Sequence, residues 1–155
     1  MNNPIISIID FEPGYAAAFR QLNLEWLQQY GLLEEPDLLM INHPQKEIID
    51  TGGFIFLAKW GEEIVGTAAL IKETPTQYEL VKMAVAPAFQ GKGISKILIQ
   101  TCLDKAKSTG AKRLYLQSNS QLTTAIALYE KYGFKHIPVK DAHYLTADIM
   151  MEMIF

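Results

Sequence analysis

The sequence predicts an α/β or α+β fold in which a mixed sheet carries helices on its faces. Seven short apolar segments have the composition of strands, and the segments between them place apolar residues three and four positions apart, as helices do. Their order is β-α-α-β-β-β-α-β-α-β-β, which suits a sheet packed against helices. The chain has 155 residues, 49% of them hydrophobic and 20% charged, and is expected to form one domain, 1–155.

The first half of the chain contains the opening strand, the helical regions that follow it, and three further strands. The predicted elements are a strand at 5–9, a helix at 15–30, short helices from Pro36 and at 44–50, and strands at 54–59, 64–71 and 78–86. Gly31 follows the first long helix, at a position where a glycine commonly ends one. Gly66 stands inside a predicted strand and indicates a bulge or a close approach of another part of the chain.

The second half alternates helices and strands. The predicted elements are a helix from Ile94 to Gly110, a strand at 112–117, a helix that ends at Gly133, and strands at 134–139 and 146–155. The last two strands follow one another closely, so we expect them to pair antiparallel. An exposed closing strand would allow two copies to form a homodimer.

Composition excludes several classes of function. Fourteen Lys and Arg against seventeen Asp and Glu give a net charge of −3, which argues against binding nucleic acid through bulk positive charge. Cys102 is the only cysteine and fits a reducing compartment, so we expect a cytoplasmic protein. No apolar run approaches the roughly 20 residues that cross a bilayer. Residues 1–10 lack the basic start of a signal peptide, and the three histidines are too scattered to indicate a metal.

The most informative segment is a glycine-bearing loop between a strand and a helix. Gly91 and Gly93 allow a ligand to approach the backbone, and the helix that follows offers unpaired N–H groups, so the loop suits a phosphate or pyrophosphate. Lys96 stands where a dinucleotide fingerprint needs a third glycine, and the spacing of a nucleotide P-loop is absent. The alternative is an ordinary glycine turn before a helix.

Two segments resemble motifs of the GNAT superfamily of N-acetyltransferases. Residues 83–95, read as MAVAPAFQGKGIS, resemble motif A, whose pattern is Gln/Arg-x-x-Gly-x-Gly/Ala. Residues 127–134, read as ALYEKYGF, resemble the end of the motif B helix, at a fitting distance. Ser95 departs from the pattern, because the family has Gly or Ala at that position. The resemblance implies a mostly antiparallel sheet of about seven strands with helices on both faces.

The resemblance also implies acetyl-CoA as cosubstrate and a cofactor site in motif A. Its pyrophosphate would lie on the loop formed by Gln90, Gly91, Lys92, Gly93, Ile94 and Ser95. The pantetheine arm would run along Met83, Ala84 and Val85, on a strand splayed from its neighbour, and a backbone N–H there would hold the thioester oxygen. Asn119 would touch the pantetheine or the substrate, or else cap the next helix.

Two residues match catalytic positions of the family. Tyr129 matches the tyrosine that protonates the leaving thiolate, although its place on an apolar stripe also fits a core tyrosine. Glu79 lies on the strand that enters motif A, where some members carry a general base. Period two places Glu79 on the same side as Met83 and Val85 if no bulge intervenes. The alternatives for Glu79 are a residue that binds the substrate cation and a solvated carboxylate at a strand end.

The sequence therefore predicts an acetyl-CoA-dependent N-acetyltransferase that acts on a primary amine in a ternary complex. The acceptor would be a small molecule or a peptide, with no metal, nucleic acid or membrane involved. The acidic segment 34–37 could attract a cationic amine, or it could be a solvated loop. Cys102 is expected to be buried rather than nucleophilic. Alternatives are a non-catalytic acyl-CoA-binding or sensing module, a transferase of a longer acyl group, and a structural domain that binds nothing.

Overall fold

A seven-stranded sheet forms the centre of the molecule. The computed structural model describes residues 5–155. The strands are β1 (Ile6–Asp10), β2 (Phe54–Trp60), β3 (Glu63–Thr74), β4 (Gln77–Val85), β5 (Arg113–Ser118), β6 (Lys135–Ile137) and β7 (Ile149–Ile154). They lie in the order β1-β2-β3-β4-β5-β7-β6, and only β4 and β5 run parallel. The expected mostly antiparallel sheet is confirmed, as is the antiparallel pairing of the two closing strands.

Four α-helices cover the sheet. They are α1 (Ala16–Gln29), α2 (Glu35–Asn42), α3 (Ile94–Ser108) and α4 (Thr123–Lys131). The short helix expected at 44–50 is a π-helical turn, Gln45–Ile49, and short 3₁₀ turns occur at Pro13–Tyr15 and Pro87–Phe89. Gly31, Gly110 and Gly133 follow three of these helices with positive φ, as residues that end a helix commonly do.

The two faces of the sheet bury separate hydrophobic cores. On one face α3 buries Ile94, Leu98 and Cys102 against the strands, because residues four apart lie on one side of a helix. On the other face Phe19 of α1 and Ile41 of α2 pack together against the sheet. The predicted arrangement, with helices on both faces, is therefore confirmed. Strand ends differ from the expected ones by at most three residues, and both closing strands are shorter than expected.

Gly66 lets α3 pack close to β3. A Cβ at Gly66 would lie 3.1 Å from Ile94 Cγ2 and 3.2 Å from Leu98 Cδ1. The pairing of β2 with β3 also shifts register beside Gly66, between Ala58 and Lys59. Both features expected of this glycine, the close approach and the irregular pairing, are present.

A bulge in β4 changes which face its residues occupy. Val81 pairs with Ala69 and Ala84 pairs with Thr67, so β4 has one more residue in this interval than β3. Lys82 lies in the bulge with φ at +54°. Val81 consequently packs in the core beside α1, whereas Val85 packs in the core beside α3. The expected alternation assumed that no bulge intervenes. It holds from Glu79 to Val81, but the bulge reverses it before Val85.

The sheet splits between β4 and β5. The two strands pair only from Gln77 to Leu80, opposite Arg113 to Leu116. Beyond that point β5 continues beside β7 as far as Ser118, while the end of β4 has no partner on its β5 side among residues 5–155. This divergence is the splayed strand that the resemblance implies. It opens a wedge within the sheet.

Two expectations concern the ends of the molecule. The first four residues, part of the segment that we do not interpret as a signal peptide, lie outside the described residues. Between residues 5 and 155, no helix has the length and apolar character needed to span a membrane. The three-residue strand β6 forms one edge of the sheet, and a homodimer across it stays a prediction.

Candidate active site

A cleft opens where β4 and β5 diverge. It encloses about 760 Å³ of space that is continuous with solvent. Its walls come from α1, the start of α2, β4, the end of β5, α4 and the loop before β7. The lining residues include Trp26, Asp37, Glu79, Lys82, Met83, Gln117, Asn119, Tyr129, Tyr144 and Thr146. Four residues that the sequence singled out, Glu79, Met83, Asn119 and Tyr129, therefore line the same cleft.

Glu79 is a buried carboxylate with hydrogen-bond partners on β5. The residue is 2% exposed, and Gln117 Nε2 donates to its Oε2 at 2.9 Å. The hydroxyl of Tyr115 lies 3.4 Å from Glu79 Oε1. Burial is the main cause that raises the pKa of Glu79 above its usual value, and the charge of Glu73 adds to it. The alternative of a solvated carboxylate at a strand end is excluded by this burial.

Tyr129 reaches the cleft from α4. It is 7% exposed, and its ring packs edge-on against Phe134, with 5.8 Å between centroids. Burial raises the pKa of its hydroxyl, which therefore stays protonated at neutral pH. Both interpretations of Tyr129 describe part of the observation, because the ring belongs to a core while the residue also lines the cleft.

The glycine loop lies beyond the cleft, between β4 and α3. Gly91 and Gly93 have φ of +77° and +82°, and nothing approaches within 4 Å of where their Cβ atoms would be. Gln90 Nε2 donates to the carbonyl of Val85 at 3.2 Å, which ties the loop to the end of β4. The ammonium of Lys92 lies 5.5 Å from the centre of the Trp60 ring. The loop surface is thus open, with glycine at both left-handed positions.

The loop leads directly into α3. Ile94, the first helical residue, is buried in the core, and Ser95 follows it half-buried. The first N–H groups of α3 have no acceptor within the helix. Ala84 and Val85 are buried at the far end of β4, between the cleft and the loop. The residues expected to hold a cofactor therefore form a continuous path from Met83 to Ser95.

Asn119 stabilises a turn rather than a helix end. Its Oδ1 accepts from the N–H of Gln121 at 3.0 Å, and its Nδ2 donates to the carbonyl of Thr146 at 2.7 Å. α4 begins after Leu122, which carries no side-chain cap. The helix-cap alternative for Asn119 was therefore wrong. The asparagine instead connects the end of β5 to the loop before β7.

Sequence reasoning missed a buried ion pair in the cleft wall. Lys82 Nζ contacts Asp37 Oδ1, and the two side chains are 5% and 4% exposed. Asp37 Oδ2 also accepts from the N–H of Glu34 at 2.9 Å. The solvated-loop alternative for 34–37 was therefore wrong for Asp37. The only signal in the sequence was Lys82 itself, a cation inside an otherwise apolar stretch of strand.

Glu34 holds the loop before β7 against the start of α2. Its carboxylate accepts from the N–H of Leu145 at 2.8 Å, and from the N–H and hydroxyl of Thr146 at 3.0 and 2.5 Å. Burial alone would raise the pKa of Glu34, but these hydrogen bonds outweigh it and the net shift is downward. Tyr144 and Thr146 line the cleft, so this contact closes one side of it.

One histidine comes close to two carboxylates. Atoms of Glu73, Glu79 and His143 that could bind a metal all lie within 4.8 Å of one another. The sequence did not indicate this group, because His143 is far from both glutamates along the chain. Cys102 is fully buried, as expected, and burial raises the pKa of its thiol.

Comparison with known proteins decides the family. The model of the acetyltransferase (GNAT) family matches residues 17–134, about three quarters of the sequence. The chain belongs to the GNAT acetyltransferase family. The family match includes both segments that carried the resemblance, which is thereby confirmed.

Two curated relatives carry the name of N-acetyltransferases. The uncharacterized N-acetyltransferase YjgM of Escherichia coli is 32% identical over 132 residues, which cover 81% of this GNAT chain and 77% of YjgM. The uncharacterized N-acetyltransferase YvbK of Bacillus subtilis is 33% identical over 102 residues, covering 64% of this chain and 66% of YvbK. The match with YvbK therefore spans slightly less than two thirds of that relative. Both names agree with the expected enzyme class.

Solved structures share the GNAT fold over nearly the whole chain. An acetyltransferase of the GNAT family from Staphylococcus aureus superposes with a TM-score of 0.86 at 20% identity, covering 97% of this chain and 99% of that one. The PaiA N-acetyltransferase from Thermoplasma acidophilum, solved in complex with coenzyme A, superposes with a TM-score of 0.80 at 18% identity and the same coverage. At these identities the likeness establishes the fold.

Proposed function

We propose that this protein transfers the acetyl group of acetyl-CoA to a primary amine by direct attack in a ternary complex. The observation that carries the proposal is that Glu79, on β4, and Tyr129, on α4, line the same cleft where β4 parts from β5. A carboxylate with a raised pKa and a protonated phenol are the base and the acid that this reaction needs. Family membership supports the acetyl donor.

The cofactor would bind along the path from the cleft to the glycine loop. The pyrophosphate would accept hydrogen bonds from backbone N–H groups between Gln90 and Ser95, at the start of α3. The pantetheine would lie along Met83–Val85, where β4 has no strand partner on the side of the wedge. PaiA, which has the same fold, was solved with coenzyme A, and this supports coenzyme A as the kind of ligand. Asn119 would contact the pantetheine through the second N–H of its amide or the second lone pair of its Oδ1, since each existing hydrogen bond uses only one of the two.

The amine must lose a proton before it attacks. Most primary amines are ammonium ions at neutral pH. Glu79 would take that proton, directly or through water, so that its carboxylate becomes a carboxylic acid and the amine gains a lone pair. A carboxylate with a raised pKa is a stronger base than one in water, and burial strengthens its attraction for the ammonium ion.

The second half of the reaction expels coenzyme A. The amine nitrogen bonds to the thioester carbon, and the negative charge on oxygen would be held by a backbone N–H of the free edge between Met83 and Val85. When the carbon–sulfur bond breaks, the Tyr129 hydroxyl would give its proton to the thiolate. The second proton that the attacking nitrogen loses as the amide forms would restore the tyrosine hydroxyl, directly or through water. The products are the acetylated amine and coenzyme A thiol.

The acceptor class follows from the cleft's aromatic and charged walls. Trp26 and Tyr144 offer ring surface, and Glu79 offers a buried carboxylate. A small-molecule or peptide amine with a positive charge would fit this lining. We also propose that residues 1–155 act as one domain and that the reaction takes place in the cytoplasm, without a metal.

A test of turnover separates an enzyme from a binding module. Release of free thiol from acetyl-CoA is followed with a panel of primary amines: amino acids, polyamines, an aminoglycoside, and peptides with free N-termini or lysines. We expect release with at least one class, reduced about 100-fold in Tyr129→Phe and in Glu79→Gln. Glu130→Gln, on the same helix as Tyr129, and Tyr132→Phe, at the residue that follows this helix, are matched controls and should retain activity.

Two results would contradict the proposal. Acetyl-CoA binding without thiol release for any amine would favour the non-catalytic acyl-CoA-binding module. Full activity in Tyr129→Phe would remove the assigned acid. Repeating the assay with longer acyl-CoA thioesters tests the remaining alternative, a transferase of a longer acyl group.

A further inference from the structure

A second cleft adjoins the one that opens where β4 and β5 diverge, which would hold the amine and is called the amine cleft below. Its walls include Glu73, Tyr115, Gln117 and His143. Gln117 lines both clefts, and Glu79 lines the first. Tyr115 is the partner of Glu79 in the pairing of β4 with β5. A thin layer of polar side chains therefore separates the buried carboxylate from solvent on this side.

Tyr115 connects a buried carboxylate to an exposed one. Its hydroxyl donates to Glu73 Oε1 and lies 3.4 Å from Glu79 Oε1. Glu73 is exposed at the end of β3. Burial, followed by the charge of Glu79 and the contacts with Glu73, raises the pKa of Tyr115, so its hydroxyl stays neutral. A neutral hydroxyl between two carboxyl groups can accept a proton from one while it donates to the other.

We propose that Tyr115 and Glu73 carry the proton of the acceptor amine from Glu79 to solvent in the second cleft. This inference rests on the proposed function, because Glu79 must first take that proton. The proton on Glu79 Oε1 moves to Tyr115 Oη as the Tyr115 hydroxyl proton moves to Glu73 Oε1. Glu79 is again a carboxylate, Tyr115 keeps one proton, and Glu73 becomes a carboxylic acid that releases its proton to water.

The need for such a route follows from burial. Glu79 is 2% exposed, and during turnover its own cleft would hold the amine and the thioester. A proton released toward that cleft would meet the acetylated product or coenzyme A before it met bulk water. The second cleft offers a short exit that the substrates do not occupy.

The other charged groups near Glu79 are placed beside this route. The His143 Nδ1 atom lies 3.9 Å from Glu79 Oε1 and 3.2 Å from Gln117 Nε2. The N–H of His143 donates to Gln117 Oε1 at 2.8 Å, which fixes the histidine at the mouth of the second cleft. Lys82 acts on Glu79 from the amine cleft, and the Arg113 guanidinium lies over the Tyr115 ring at 4.8 Å. His143 is exposed beside this route.

The test is rescue of turnover by small buffers. Tyr115→Phe and Glu73→Gln are assayed with the best primary amine of the panel, in the pH range where kcat does not depend on pH. Each assay is repeated at increasing concentrations of imidazole or formate. We expect kcat to fall at least 5-fold at low buffer concentration and to recover as the buffer rises, because a small acid or base replaces the missing group. The kcat of the wild type and of Tyr132→Phe should not depend on the buffer concentration.

The outcomes are separable from those of the proposed function. A kcat unchanged in both variants, or lowered without any response to buffer, would overturn the proton route while leaving acetyl transfer intact. Absence of thiol release by the wild type, despite acetyl-CoA binding, would overturn the proposed function and the route with it. Thermal midpoints of both variants verify that they are folded. Glu73→Asp keeps a carboxylate, so its kcat should again not depend on the buffer concentration.

Discussion

The ammonium of Lys82 is paired with the carboxylate of Asp37 across the wall of the cleft. The pair joins the bulge of β4 to the first turn of α2, 45 residues away in sequence. The bulge reverses the alternation of β4, and it turns Lys82 toward α2 rather than into the core beside α3. One irregular residue in a strand thus fixes a helix against the site.

Removing one member of this pair should destabilise the fold. Lys82→Met leaves Asp37 as a buried charge without its partner, and we expect a loss of about 3–5 kcal/mol in the free energy of unfolding. Urea unfolding followed by circular dichroism measures it. Asp37→Asn combined with Lys82→Met removes both charges and should recover part of the loss.

The matched control is the pair of Lys59 with Glu62, in which the lysine side chain is 22% exposed and the glutamate side chain is 99% exposed. Lys59→Met should change the free energy of unfolding by less than about 1 kcal/mol. A Lys82→Met protein as stable as the Lys59→Met control would contradict the assigned role of the buried pair.

The ionised form of Glu79 is expected to lower the stability of the folded state, because burial disfavours its charge. Its pKa is raised on folding, so the folded state binds this proton more tightly than the unfolded state does. Its contribution to stability is therefore complete below the unfolded pKa of about 4.5 and is lost as pH rises through the folded pKa. Glu79→Gln should raise the Tm at pH 8, and the gain should shrink near pH 4.5. A lower Tm at both pH values would be inconsistent with this account.

The ionisation of Glu79 should also determine how kcat/KM falls at low pH. Because the reaction uses the ionised form of Glu79, kcat/KM should fall on the acid side with a midpoint above 4.5. Glu73→Gln removes a neighbouring negative charge and should move that midpoint to lower pH. A pH–rate profile with a midpoint at or below 4.5 would argue for another base.

Glu34 should hold the loop before β7 in place through its hydrogen bonds to Leu145 and Thr146. Glu34→Ala removes the acceptor of the Leu145 and Thr146 N–H groups, and we expect their amide exchange to accelerate at least tenfold. The KM for the amine should rise, because Thr146 lines the cleft. Glu35→Ala, at the exposed neighbouring position, is the control. Unchanged exchange at both amides would mean that other contacts hold the loop.

Acid should release this contact as well. The pKa of Glu34 is lowered on folding, so its stabilising contribution is present above the unfolded pKa of about 4.5 and is lost as pH falls through the folded value. Amide exchange at Leu145, corrected for its intrinsic pH dependence, should therefore increase below pH 4.5.

Local signals in the sequence predicted most of the architecture. Periodic apolar residues identified the long helices, and paired glycines identified the open loop before α3, since both signals depend on near neighbours. The strand ends were less well predicted, because pairing partners rather than composition decide where a strand stops. The two closing strands show this most clearly.

The chemistry of the cleft depends on contacts between distant residues. Nothing near Glu79 in the sequence indicates that it is buried, since its cover comes from β5. The bulge at Lys82 leaves no signature in the alternation of apolar residues. Glu34 reaches Thr146 across 112 positions. Such contacts follow from how the wedge, the helices and the loop assemble, and a single sequence does not encode them locally.

The most direct test of the central claim is a thermal-shift titration with acetyl-CoA, using adenosine diphosphate as the control. A ligand that binds only the folded state raises the midpoint by mass action. We predict a rise that depends on acetyl-CoA concentration and is much smaller for adenosine diphosphate. An unchanged midpoint at millimolar acetyl-CoA would contradict the proposed cofactor site on the loop from Gln90 to Ser95, and with it the acetyl transfer.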